Sequence, residues 1–506
     1  MIAVLQFEAV SLPILDRMME EGRLPTLAGL RRDGEWLELD GPSGYLEGAS
    51  FVTLHTGLPP TQHGFYYPWQ WSAADQRFRT RFDTPVPDAI WDRLGRAGRR
   101  ALVIDPYDCA PARAVDGVAV CGWQATNRVA LPPWSSPPGA RRQLAARHGR
   151  TRSADEIFGA ARLSELMRFR DVVLDASRRA AAAALHFLAR ERFDLVWIEL
   201  VAPHLAGHQF WDVGRVLDLT RVSADERRAI DTTLGDVYEA ADRALGEIIA
   251  ALPEGADVIV MAASGMGPER DRSDLLPGML RAVLEGSQGA SADGRGGSPL
   301  WSLRAKVPPS LRAQVARLVP DRAALELAAR LLTAGTDWSR TRAFAVPNDP
   351  CGAVRLNLAG RERRGVVDPG EAEDLMREIA AGLMTFREPD GEPAVITVER
   401  SADLEPEGPH SHLFPELLVH WPKWASAGLR AVESREFGEV RRPGGGSGRS
   451  GNHTEDAWAL VAPAGSRVRR LDRPPHLVDV AATVYAHLGL DPELSRAVGQ
   501  PLLEPA

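Results

Sequence analysis

Two histidines, His204 and His208, stand four residues apart just after the apolar run Leu195-Val196-Trp197-Ile198-Glu199-Leu200-Val201. On a helix this spacing puts both imidazoles on one face, where their ring nitrogens can reach one divalent ion. Pro203 suits the first position of such a helix, because the N–H it lacks would have no intrahelical partner there. The spacing also recurs on ordinary helices, so two polar residues at a strand end are the plain alternative. His410 and His412 form a second pair, two apart before a predicted strand. On a strand they would share a face, which suits either a ligand pair or surface residues at the mouth of a cleft.

Rigid elements must carry such side chains if they are to meet. Short apolar runs alternate with amphipathic segments, the pattern of an α/β fold with a mostly parallel central sheet and helices on both faces. Strands are predicted at 2–7, 101–105, 117–121, 195–201, 257–262, 353–358, 416–421 and 457–462. Helices are predicted at 12–21, 87–97, 174–191, 225–251, 370–386 and 477–489, the third favoured by the alanines at 180–184. Residues 1–267 and 341–506 read as the core, with 268–340 as a cap inserted in it. Within that insertion, 287–298 is rich in Gly, Ser and Asp and predicts a loop, followed by short helices around 310–332. The glycine-dense run from Arg442 to Gly451 predicts either a loop that closes over a site or a plain surface loop.

Composition bounds the function. A formal charge of -8, with arginines dispersed along helices, speaks against a broad grip on nucleic acid. No apolar run approaches the ~20 residues that span a bilayer, so no membrane partner is expected. Three cysteines without a CxxC pair, Cys109, Cys121 and Cys351, indicate neither a disulfide framework nor a cysteine-bound zinc. The chain opens directly on a strand-like run without a leader-like segment, which predicts a cytoplasmic protein.

Several segments, in order along almost the whole chain, resemble the alkaline phosphatase superfamily, in particular its type I phosphodiesterase and nucleotide pyrophosphatase branch. Glu21-Gly22-Arg23-Leu24-Pro25-Thr26-Leu27 resembles the "EGRLPNL" helix after the opening strand, and Thr56-Gly57-Leu58-Pro59-Pro60-Thr61-Gln62-His63-Gly64 the "TGxxPxxHG" signature. Val258 to Pro268 resembles "VIVxSDHGFGP", and Trp338 to Phe344 the return from the cap. Gly451-Asn452-His453-Thr454 resembles the late "GxHR" motif, Val478 to Thr483 the closing "DVAPTLL" helix, and Gly499-Gln500-Pro501-Leu502 the terminal "GRPL".

The resemblance implies a two-metal hydrolase site, with ions about 4 Å apart that clamp the attacking and leaving oxygens. This chain departs from it. In the first site His208 and His453 stand where the family has histidines, and His204 stands where it has an Asp. Three imidazoles with an open fourth position suit a zinc-type ion, with manganese or iron as alternatives. In the second site Glu8 replaces the first-strand Asp, Glu47 replaces the Thr or Ser nucleophile, and Ala263 and Ser264 replace an Asp-His pair. A methyl and a hydroxyl are no substitute for a carboxylate and an imidazole, so one divalent metal is expected rather than two. Glu47 and Glu8 are then the candidates for proton transfer. Glu47 is equally placed to be a carboxylate that favours a helix N-terminus. Ser50 is the alternative nucleophile if the alignment shifts locally. Ser264, Asn348, His410 and His412 are candidates for substrate contact, and His63 for holding the turn after the nucleophile helix.

The function expected is a divergent, metal-dependent hydrolase or group transferase acting on a small phosphate- or sulfate-ester-like substrate. The alternative is a degenerate pseudoenzyme that binds ligand on the same fold.

Overall fold

The computed structural model describes residues 1–506 except 108, 128–131, 155–161, 216, 287–320, 444–447, 491–496 and 506. The predicted loop at 287–298, the first part of the predicted helices at 310–332 and the middle of the glycine run lie outside the described residues. Of those helices the described part is Asp321–Thr333.

An eight-stranded sheet forms the centre, in the order Glu35–Leu39, Ala457–Ala462, Asp257–Ala262, Ile2–Phe7, Leu195–Leu200, Arg100–Ile104, Asp116–Cys121, Trp134–Ser136. Asp257–Ala262 through Asp116–Cys121 run parallel, and the outer strands on each side are antiparallel to their neighbours. The inner strands are buried along their whole length on both faces, which explains why they read as unbroken apolar runs. Helices Leu12–Glu20, Leu163–Leu188 and Ala224–Ala250 cover one face. Ile90–Arg96 and Leu477–His487 cover the other.

Local chemistry fixes the ends of these helices. The Ser223 hydroxyl accepts from the Glu226 N–H, and the Glu226 carboxylate accepts from the Ser223 N–H, a reciprocal cap worth about 1 kcal/mol. Glu47–Thr56 ends at Gly57, whose φ of +69° suits a residue without a Cβ.

The strands predicted at 353–358 and 416–421 lie outside the central sheet. Gly352–Leu356 and Leu417–His420 pair in a separate antiparallel sheet with Ala343–Val346 and Thr397–Arg400. Its own apolar cluster joins helices Leu276–Glu285 and Ala372–Leu383. After Asp257–Ala262 the chain rejoins the central sheet only at Ala457–Ala462. A short apolar run does not reveal which sheet it will enter. Among the described residues no helix is long and apolar enough to cross a membrane, and all three cysteines are free.

Candidate metal centre

Asp257–Ala262, Ile2–Phe7 and Leu195–Leu200 are adjacent and parallel, so their carboxyl ends emerge on one edge of the sheet, where α/β proteins build sites. Glu8 follows the middle strand, Ala263 and Ser264 follow one neighbour, and helix Ala202–Phe210 follows the other. Pro203 occupies its first turn, and the i, i+4 spacing places His204 Nε2 3.0 Å from His208 Nε2.

His453 arrives from far along the chain on Gly451–Thr454, paired antiparallel with Gly265–Pro268 so that it stands opposite Met266. Two glycines permit this approach. A Cβ on Gly207 would lie 2.7 Å from the Met266 side chain, and one on Gly451 would lie 2.4 Å from the Gly207 carbonyl oxygen. Ligand atoms of His204, His208 and His453 all fall within 4.8 Å of one another, and all three residues are buried.

The ring orientations suit a cation. His208 Nδ1–H donates to the Gly451 carbonyl at 2.9 Å, which leaves the Nε2 lone pair facing the other imidazoles. Ser264 Oγ lies 3.2 Å from Glu8 Oε1 and 3.1 Å from His453 Nδ1. With its one proton given to the carboxylate, the hydroxyl accepts from His453 Nδ1–H and leaves Nε2 as the donor atom for an ion. Burial, with Arg449 and neighbouring imidazoles, holds His208 and His453 well below the usual histidine range. Neutral imidazoles are the form that ligates metal. Three buried imidazoles, two with fixed tautomers, fit a divalent metal ion.

The second group of positions is built differently. Glu8 is fully buried and accepts from Gln6 Nε2, the Ala263 N–H and Ser264 Oγ. Burial pushes its carboxyl up, and those hydrogen bonds oppose the shift. Glu47 opens helix Glu47–Thr56, where its charge also favours the helix N-terminus. Its Oε1 is buried, makes no hydrogen bond, and lies 3.6 Å from His453 Nδ1. Burial, with the charges of Asp349 and Glu8, pushes Glu47 up to about 8, against the pull of Arg449. Ser50 is fully buried on the same helix.

The other candidates make contacts of their own. Asn348 donates to the carbonyls of Tyr45 and Cys351, which ties its turn to the segment before Glu47. His410 and His412 sit at a surface turn, with His410 packed over Gly64. His63 is buried, pairs with Thr53 Oγ1 at 3.0 Å and accepts from the Phe65 N–H, holding the turn.

Several neighbours escaped sequence reasoning. Tyr107 packs its ring 4.8 Å from that of His204, and Phe51 stacks at 6.4 Å. Glu199 is a fully buried carboxylate, 3.9 Å from His55 and bonded to the Tyr107 N–H. Its signal was a lone acid inside an apolar strand. Arg449 lies with Nη1 3.7 Å from Asp349 Oδ2, and Asp349 accepts from Asn452 Nδ2 at 3.0 Å.

The family model for type I phosphodiesterase / nucleotide pyrophosphatase matches residues 3–427. Similar solved structures include phosphonoacetate hydrolase from Sinorhizobium meliloti 1021 in complex with phosphonoformate. It shares 16% identity at a TM-score of 0.49, covering 96% of this chain and 94% of that one. Another is murine ectonucleotide pyrophosphatase / phosphodiesterase 5, an inactive form in complex with AMP. It shares 12% identity at a TM-score of 0.45, covering 99% of each chain. No curated protein matches the sequence.

Proposed function

The chain belongs to the type I phosphodiesterase / nucleotide pyrophosphatase family, and from that premise we propose a hydrolase or group transferase that works with one divalent ion. Its substrate is a small phosphate- or sulfate-type ester. The observation that carries this reading is the convergence of His204, His208 and His453, three buried imidazoles from two distant segments. A zinc-type ion held there would supply Lewis acidity toward an ester oxygen, and manganese or iron would serve the same ligand set less typically.

The protein side chains handle the rest. Glu47 Oε1, buried beside His453 without a hydrogen bond, is placed to take a proton from the attacking water or hydroxyl and return it to the leaving group. A carboxylate close to an anionic ester is a poor nucleophile, which favours this base role over a covalent one. Ser264 and Glu8 act behind His453: the hydroxyl fixes the ring and the carboxylate fixes the hydroxyl. Ser264 is therefore a positioning residue in this reading, not a substrate contact.

Metal analysis on dialysed protein, with a screen of phosphomonoester, phosphodiester and sulfate-ester substrates, tests the proposal. About one ion per chain is expected, with turnover that follows metal content. No bound ion, or a fully loaded protein inert toward all three ester classes, would remove the hydrolytic reading. Two ions per chain would replace it with the two-metal arrangement.

A further inference from the structure

A cation is carried on the segment that frames the three histidines, although a bound metal would repel it. Arg449 precedes Ser450 and Gly451, and both are fixed to the histidine helix. The Ser450 N–H donates to the His208 carbonyl at 2.9 Å, Ser450 Oγ accepts from the Asp212 N–H, and the Gly451 carbonyl accepts from His208. The Ser450 carbonyl also accepts from the Glu269 N–H. The segment that carries the guanidinium is thus part of the frame that carries the ligands.

The side chain is steered from the other side as well. Asp349 lies 3.7 Å from its Nη1, and Asn452, next to His453, holds Asp349 in place. The Asp349 carbonyl also accepts from the Glu47 N–H at 3.0 Å, which ties the same turn to the start of the Glu47 helix. Arg449 therefore links a segment bonded to the His208 helix with a turn bonded to Asn452 and Glu47. It is 19% exposed, while the three histidines are buried. A guanidinium presents paired N–H donors in a plane, the geometry that matches two oxygens of a tetrahedral oxyanion.

Resting on the one-metal reading above, we propose that Arg449 is the residue that binds the substrate's tetrahedral anion. It takes two non-bridging oxygens of a phosphate- or sulfate-type group, beside the histidine cluster, and Asp349 positions it. An anion between two cations offsets their repulsion, so the arginine and the metal each favour the ligand and disfavour one another.

This arrangement predicts effects of opposite sign. Zinc affinity is measured by competition with a chromophoric chelator, and binding of inorganic phosphate and of inorganic sulfate by calorimetry, on the full chain with and without zinc. R449Q should weaken oxyanion binding about 10-fold or more while zinc binding stays the same or tightens a few-fold. R449K keeps the charge but loses the planar fork, and should fall between R449Q and wild type. The stronger of the two anions in wild type identifies the ester class. Parallel loss of zinc and anion in R449K would assign Arg449 a merely structural role and overturn the proposal. Wild-type anion affinity in R449Q would also overturn it, as would a wild type that binds neither anion. A wild type that takes up no zinc yet binds an oxyanion through Arg449 would sink the metal reading and leave this one standing.

Discussion

His204, His208 and His453 share one edge of the sheet with Glu8, Glu47, Ala263 and Ser264, yet the two groups are finished in opposite ways. The histidines direct lone pairs toward a common point, with His208 and His453 each held from behind by a hydrogen bond at Nδ1. In the second group, Glu8 and Ser264 direct their polar atoms at one another and at His453, and Ala263 contributes a backbone N–H to Glu8. Positions that resemble a second ligand set have become the support of the first. Glu47 is the exception, with an oxygen buried near His453 and no hydrogen bond. If the histidines hold the proposed ion, a replaced ligand position does more than delete a site, because its new side chain orients the ligands that remain.

The largest effect that can break this contrast comes from the histidines. His208→Ala and His453→Ala should each reduce the metal content from about one ion per chain to none by elemental analysis, because two ligands no longer close the site. Full occupancy in either variant would refute the cluster. Glu47→Gln comes next. It should leave the metal content unchanged and lower turnover by about 10²–10⁴-fold, the usual contribution of a positioned base. Unaltered rates would return Glu47 to the role of a carboxylate at a helix N-terminus.

The same contrast shows what sequence could reveal. The inner strands at 2–7, 195–200 and 257–262 were legible because burial on both faces forces unbroken apolar runs. The edge strand Glu35–Leu39, with Glu35 and Glu38 exposed, carries no such run and went unread. The second sheet was legible as strands but not as a separate sheet, because pairing partners leave no local mark. At the site, the His204–His208 spacing reports a helical face directly. His453 emerged only through the family resemblance, since its approach depends on Gly207 and Gly451, 244 positions apart and in contact only after folding. Ser264 was legible as a candidate for substrate contact but not as the support behind His453, and Arg449 beside Asp349 was not legible at all, because a hydroxyl or a guanidinium at the end of a loop does not announce its direction.

Ser264→Ala sharpens the comparison further. The methyl keeps the shape but leaves His453 Nδ1 and one Glu8 oxygen without their shared partner. Loss of such a supporting contact should weaken metal binding about 10–100-fold with the fold retained. A chelator titration that gives wild-type affinity would show that the second group does not support the first.

The smallest effect separates the clustered imidazoles from one that is merely buried. His55 lies in the opposite core among Trp91, Trp197 and Phe51, and burial lowers it to about 3. Its unfolded value is about 6.5. A lowered histidine pKa means that the unfolded chain binds the extra proton, so this stabilising contribution is complete above about pH 6.5 and declines as pH falls toward 3. Between pH 7 and pH 5 the decline amounts to about 2 kcal/mol. Nearby Glu199 has the opposite dependence, because burial raises it and its neutral form is favoured on acidification. The whole-protein profile therefore mixes both signs, and the useful quantity is the difference between variant and parent. His55→Leu should gain thermal stability relative to wild type as pH drops from 7 to 5, in metal-loaded and metal-free protein alike. A gap that stays constant across that range would mean that His55 is not held neutral by its surroundings. A gap that responds to zinc would couple this core to the metal cluster and erase the distinction between the two kinds of histidine.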